Sequence, residues 1–380
     1  MWGSTVSSVE EQLPLPTEVE EAGVYDVNPD QEVIPSSYEI TSYGADFLVD
    51  GLVTRMSNGD IVIPTFDPET SPESEMAAFQ RGFVWKKPQI DRFIESLLLG
   101  LPVPAIFLVR EADNLLLVLD GQQRLRSLQA YYAGVLRGKE FRLEWVDSPY
   151  KGLAYKDLDV EDRRRLDNSI IHAIVVRQEN PPNEYGSIYS IFERLNTGGT
   201  VLQPQEIRVA LYRGSFVNLL RDLNRIPSWR NIYGPRSDRL KDQELILRFF
   251  AFYYLGHLYK RPIKGFLNRY VQRNRNLEVQ GESDLRRVFE RTTSVIDSAI
   301  GKQAFRPQRA LNAAVLDSVM VGVARRLEAG PVADLLRLAD AYNLLISSNH
   351  YLETVESSTA GEESVKTRLA LATEAFASVP

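Results

Sequence analysis

The residues with most chemical potential in this chain of 380 lie where an apolar run meets an aspartate. From Leu115 to Leu128 the order is Leu-Leu-Leu-Val-Leu-Asp-Gly-Gln-Gln-Arg-Leu-Arg-Ser-Leu. This reads as a buried strand, a sharp turn at Asp120-Gly121, and a helix opening with Gln122, Gln123 and Arg124. A helix start exposes unpaired N–H donors and a partial positive charge, so it attracts anions. Arg124 in that first turn opposes the helix dipole by about 0.3 to 1 kcal/mol. A phosphate lying between them would offset that cost. Asp120 at the strand end is placed to hold a magnesium ion, or to orient a water, beside such a phosphate. The same spacing also fits a plain strand–turn–helix with Asp120 as N-cap and Arg124 on the surface.

Two further clusters carry suitable groups. Phe79-Gln80-Arg81-Gly82-Phe83-Val84-Trp85 offers donors from Gln80 and Arg81 for phosphate or base edges, and a Trp85 face for stacking or for plugging a core. Phe192-Glu193-Arg194-Leu195-Asn196-Thr197-Gly198-Gly199 joins Arg194 to a glycine-bearing turn whose backbone donors could form an anion nest around Asn196 and Thr197. Many ordinary helices end in the same way.

The elements that must position these groups are legible nearby. Pro88 to Leu99 is expected to be a core helix, with Ile90, Phe93, Ile94, Leu97 and Leu98 on one face and Gly100 ending it. Ala105–Val109 and Leu115–Leu119 flank a turn composition and read as a hairpin buried on both faces. Helical spacing resumes over Gln122–Ala133 and over Tyr185–Leu195. Earlier, Tyr38–Val53 suggests short elements, Ile61–Pro64 a strand end, and Phe66–Ala78 a Pro/Glu/Ser loop. Beyond Gln203 the text is helical, with full helices over 242–258, 283–300, 309–327 and 331–347. The expected fold class is α+β: a small N-terminal α/β domain over 35–215 and a mostly α-helical bundle over 216–380, after an acidic, mobile segment at 1–34.

Composition narrows the functions. At about 150 residues per domain, the chain has room for two compact units. Hydrophobic residues make up 44% and charged residues 25%, an ordinary globular mixture. Cys 0 excludes thiol nucleophiles, zinc ribbons and disulfides, and only His172, His257 and His350 remain, so any metal is expected to be a hard cation such as Mg2+. No apolar run is long enough to span a membrane and no leader pattern opens the chain, which leaves a cytoplasmic expectation. The net charge of −7 is unevenly spread. Residues 1–80 hold one basic residue against 16 acidic ones, whereas 206–278 hold 15 basic against 6 acidic. That basic stretch, Arg208 to Arg275, is either a solvated surface or a contact for phosphate or DNA backbone. No Gly-x-x-x-x-Gly-Lys-Ser/Thr, Gly-x-Gly-x-x-Gly or His-Glu-x-x-His is present.

Taken in order, the Phe79–Trp85 cluster, Ile94-Glu95-Ser96-Leu97-Leu98-Leu99-Gly100-Leu101-Pro102-Val103-Pro104, Asp120-Gly121-Gln122-Gln123-Arg124-Leu125 and the Phe192–Gly199 cluster resemble the N-terminal domain of GmrSD-type modification-dependent restriction enzymes. That domain is itself similar to the ParB/sulfiredoxin fold, and the resemblance spans roughly residues 35 to 250. It implies binding of a nucleoside triphosphate (NTP) with Mg2+, hydrolysis as in several members, and a role in defence against bacteriophage. Asp120, Gln122, Gln123 and Arg124 match the family's nucleotide-site motif, and Gln80, Arg81 and Asn196 match positions beside it. Trp85, Gly121, Arg194 and Thr197 complete the expected nucleotide-binding set, with Asp120 as the metal ligand. Two departures stand out: an insert from Asp67 to Ala78, and no histidine cluster for the family's C-terminal HNH nuclease. A separate nuclease or effector is therefore expected as partner. The alternative is a non-enzymatic DNA-binding adaptor that recruits one; self-association is left open.

Overall fold

The computed structural model describes residues 24–25, 39–64, 85–111, 113–180, 186–195 and 202–380. Its strands are β1 (Val24–Tyr25), β2 (Glu39–Leu48), β3 (Ile61–Val62), β4 (Ile106–Arg110), β5 (Leu116–Asp120), β6 (Val135–Leu136), β7 (Lys139–Glu140), β8 (Ile170–Asn180) and β9 (Leu311–Asn312). Five of them form a mixed sheet in the order β2-β8-β4-β5-β3. The expected hairpin is there: β4 and β5 are antiparallel, while β4 runs parallel to β8 and β5 parallel to β3.

Alternation explains why β5 is apolar throughout. Leu116 and Val118 face a core with Val49, Ile94, Leu125 and Leu128. Leu117 and Leu119 face a second core with Ile188, Phe192, Phe216 and Phe250. A strand covered on both sides has no polar face to display. The first core is closed by α1 (Val49–Ser57), α2 (Lys87–Leu98), α3 (Gln122–Ala133) and α4 (Val160–Asp167). In α2, Pro88 occupies the first turn and Ile90, Phe93, Ile94, Leu97 and Leu98 are all buried, as their spacing predicts.

The second core belongs to α5 (Gly186–Leu195), α6 (Pro204–Leu211), α7 (Ser215–Leu223), α8 (Pro227–Tyr233), α9 (Lys241–Leu255), α10 (Ile263–Arg273), α11 (Glu282–Ala299), α12 (Ala313–Glu328), α13 (Leu335–Ile346), α14 (Asn349–Glu356) and α15 (Glu362–Ala377). The α+β class and the helical C-terminal half are as expected. One hydrophobic cluster runs from Leu117 through Leu211 and Phe216 to Phe376, so it is continuous across residue 215. No helix among the described residues is long and apolar enough to cross a membrane.

Two long strands differ from expectation. Tyr38–Val53, read as short elements, builds the ten-residue β2 and the start of α1. Residues 170–180, to which the sequence reading assigns no element, form β8 in the interior of the sheet. Its Ile171, Ala173 and Val175 are buried, whereas Ile170, His172 and Ile174 are exposed. The loop at Phe66–Ala78 lies outside the described residues. So does the 1–34 segment, apart from Val24–Tyr25, which pairs in parallel with β9.

Part of the basic stretch is internal cross-linking, while Arg225, Arg236, Lys260, Arg261, Arg269 and Arg273 are exposed. Arg208 Nη1 donates to Glu244 Oε2 at 2.8 Å, Arg230 Nη1 to Asp242 Oδ2 at 3.0 Å, and Arg239 Nη2 to Glu206 Oε2 at 2.9 Å. Asp317, fully buried, accepts from Arg248 Nη2 at 2.7 Å and from Arg368 Nη2 at 3.3 Å. Burial opposes ionisation of Glu244, but Lys241 and Arg208 outweigh it and hold its carboxyl well below the usual range.

A depressed folded-state value means that the stability from Glu244 is complete above its ordinary value of 4.5 and is lost as pH falls below it. Glu244→Gln should therefore flatten the acid limb of stability, measured as the urea midpoint at stepped pH. Asp317→Ala leaves two buried guanidiniums facing each other and should cost about 3–5 kcal/mol, read in the same melts.

Candidate functional site at the β5–α3 turn

Gly121 is required by two independent constraints. Its φ of 96° and ψ of 9° lie in the left-handed region, and a Cβ there would sit 2.4 Å from Ile106 Cγ2. The turn starts α3 directly at the end of β5. The N-cap residue, Gly121, has no side chain with which to cap α3, and the first helical bond runs from Leu125 N–H to the Gly121 carbonyl. The amides of Gln122, Gln123 and Arg124 precede that bond, so a twelve-residue helix directs its positive end toward the turn.

Asp120 and Arg124 form one unit. Arg124 Nη2 donates to Asp120 Oδ2 at 2.7 Å, while Nη1 donates to the carbonyls of Pro104 at 2.7 Å and Ala105 at 3.1 Å. The aspartate side chain remains 47% exposed and the arginine only 10%. This corrects the plain strand–turn–helix alternative on both counts: Asp120 does not cap the helix, and Arg124 is not on the surface. The electrostatic penalty of a cation in the first turn is met within the chain by Asp120, four residues earlier. Arg124 is thus a holder of Asp120 and of the Pro104–Ala105 backbone, and its guanidinium does not stand free at the mouth.

Gln123 links this turn to the Phe79–Trp85 cluster. Its Oε1 accepts from Trp85 N–H at 3.2 Å, and Arg137 Nη2 donates to the Trp85 carbonyl at 3.1 Å. The half-buried indole meets Phe93 edge-on at 5.8 Å, so Trp85 is anchored in the packing of α2. Gln122 is half-buried beside Gly121. Arg194 is exposed in the last turn of α5, whose Ile188 and Phe192 pack in the core beneath β5. Gln80, Arg81, Asn196 and Thr197 lie outside the described residues.

Sequence reasoning passed over two buried charged residues and one side-chain pair. Arg126, buried in the second turn of α3, donates to the Pro64 carbonyl at 3.2 Å, and burial pulls its pKa down to about 10. A second arginine two positions after Arg124 was the available signal, since the two must point to different faces of a helix. Asp91, also fully buried, accepts both contacts of Lys87 and the amides of Glu144 and Trp145, which makes it a structural knot. Asp46 and His172, register partners on β2 and β8, pair on an exposed face at 2.6 Å. Their 126-residue separation hid them.

No group of three or more His, Asp or Glu able to hold a metal occurs among the described residues. A lone exposed carboxylate such as Asp120 suits a hydrated Mg2+ that arrives with phosphate oxygens, not a dedicated protein cage.

Residues 66–213 match the family described as GmrSD restriction endonuclease, N-terminal domain. The match runs from just after β3 to the end of α6 and contains the β5–α3 turn. No curated protein matches the chain.

Gly121→Ala should destabilise by more than about 2 kcal/mol, because a left-handed non-glycine residue and an overpacked contact add. Because the contact is with Ile106 Cγ2, a Gly121→Ala/Ile106→Ala double variant should lose less stability in thermal melts than the two single variants added together, leaving the backbone component.

Proposed function

We propose that this chain, whose residues 66–213 match the GmrSD N-terminal domain family, acts in a restriction system, binds an NTP at the β5–α3 turn and hydrolyses it as a nucleotide-dependent regulator. The observation that carries the reading is the N-terminus of α3 placed directly behind Gly121 at the end of β5, with Asp120 exposed at its side and fixed by Arg124. Backbone donors and dipole favour a polyphosphate there. Asp120 presents a carboxylate whose orientation is set by Arg124, so it can hold a metal-bound water or position the attacking one. Magnesium, when bound, neutralises phosphate charge and polarises the scissile linkage. Gln122 lies beside the same turn as a neutral hydrogen-bonding partner. Arg194 and, from the family motif, Arg81 supply the cations for a phosphate clamp that Arg124 does not provide.

Packing supports a regulatory output. Leu117 and Leu119 share one cluster with α5 and the C-terminal helices, so a shift at Asp120 loads the helical half directly. The DNA-adaptor reading loses Arg208 and Arg248, which are buried in ion pairs, and rests on the exposed Arg225, Arg236, Lys260, Arg261, Arg269 and Arg273.

A panel of NTPs with and without Mg2+ tests the proposal by thermal shift. Ligand at about 100 times its Kd should stabilise by about 2.7 kcal/mol. Asp120→Ala should abolish the magnesium-dependent part and phosphate release together. Arg124→Lys, which loses the fork to two carbonyls, should slow turnover more than it weakens binding. The proposal fails if no NTP shifts the wild-type melt, or if Asp120→Ala keeps full turnover.

A further inference from the structure

At the end of the chain farthest in sequence from the β5–α3 turn, α13 and α15 enclose a groove of about 640 Å³. They run antiparallel, since Ala333 N–H, just before α13, donates to the Pro380 carbonyl just after α15. Ala341, Leu345, Leu371, Ala375 and Val379 supply its apolar surface. Leu344 stands on the rim with 75% of its surface exposed. Arg337, Asp340 and Glu374 are the charged residues of the same groove. Among the described residues Asp340 and Glu374 make no ion pair, and Arg337 meets Asp334, three residues earlier, at 3.9 Å.

We propose that this groove is a self-association face: a second copy of the chain seats its α13 there about a two-fold axis, and Leu344 of each copy enters the groove of the other. A two-fold interface uses the same patch twice, so that patch must contain both knob and hole and charges of both signs. This one does. Leu344 is an exposed knob next to a hole whose alanines, Ala341 and Ala375, let another helix approach closely. Arg337 is the cation, and Asp340 and Glu374 are the carboxylates it would meet across the axis. The chain's own segments outside the described residues are poor occupants. Residues 1–23 have five acidic groups and no basic one, and residues 65–84 have four acidic groups against Arg81. Either would set carboxylates against Asp340 and Glu374. A dimer through α13 leaves the β5–α3 turn untouched, so its test is separate from that of nucleotide binding.

Sedimentation velocity of the full chain over about a hundredfold concentration range, wide enough to cross a micromolar Kd, should show a concentration-dependent shift to twice the chain mass. Leu344→Asp should raise the dimer Kd at least tenfold, and so should Arg337→Glu. The double variant Asp340→Lys/Glu374→Lys should be monomeric alone. Mixed with Arg337→Glu, it should form a heterodimer, because each rim then faces its opposite sign. These side chains are on the groove rim, and unchanged melting temperatures would show the variants folded. A wild-type chain that stays monomeric over the range overturns the proposal. So does a dimer that survives both Leu344→Asp and Arg337→Glu, or charge-swapped variants that fail to pair.

Discussion

Burial of β5 on both faces is the constraint from which the rest of this architecture follows. Four consecutive residues, Leu116 to Leu119, send alternate side chains into two different cores, and each core would be left open without them. The strand therefore cannot slip by one residue: each core receives two of the four side chains, and a slip would exchange them. Asp120 is then the first position at which the strand reaches solvent, and the chain has only the space beside Ile106 in which to turn. Glycine is the residue that fits, and α3 begins where that turn releases it. A helix N-terminus and an exposed carboxylate are brought together by packing alone, before any ligand is considered.

Arginine does two different jobs along this chain, and burial separates them. In the C-terminal half, Arg208, Arg248 and Arg368 are planar donors that reach from one helix to another through the core. Pairs of this kind contribute little net stability relative to well-packed apolar residues, yet losing one partner is expensive, so they enforce a single arrangement of the helices. At the β5–α3 turn Arg124 uses the same fork on a half-exposed target. Two carbonyls fix the guanidinium, and the guanidinium fixes one oxygen of Asp120 while the rest of that carboxylate faces water. Part of what looks from composition like a phosphate-seeking surface is, residue by residue, a set of internal braces.

That difference also marks how far the sequence could be read. Periodicity located α2, the β4–β5 hairpin and α3 within about a residue at each end, because each is local and its apolar positions recur at the spacing of one element. The turn at Asp120-Gly121 was legible for the same reason. The β8 strand was not picked out, although Ile170 to Val176 is rich in β-branched residues, because its place in the sheet depends on β2 and β4, which are distant in sequence. The partners of Arg124 were half legible: Asp120 lies four residues away, one helical turn, but the carbonyls of Pro104 and Ala105 belong to the approach to β4. The charge imbalance over 206–278 left surface and core undivided for a related reason. Counting charges cannot tell a surface from a core, and Asp317, which pairs with Arg248 of that stretch, lies outside the counted window.

The two-core arrangement also bears on how a small event at the turn could be felt elsewhere. A rigid, close-packed interior transmits displacement instead of absorbing it. Between Asp120 and the C-terminal helices stand Leu119 and Leu117, then Ile188 and Phe192 of α5, then Phe216 and Phe250, all in one continuous cluster. Asp120 is tied on the other side, through Arg124, to the backbone that leads into β4, and Gln123 ties the same turn to Trp85 at the head of α2. A change in the position of Asp120 therefore has two mechanical outlets. Both strands serve both cores: Val109 of β4 joins Leu117 and Leu119 in the second cluster, while Leu116 and Val118 of β5 join Ile106 and Leu108 of β4 in the first. The paired strands therefore load the two cores together, and the 3.2 Å bond from Trp85 to Gln123 is the softer tie to α2.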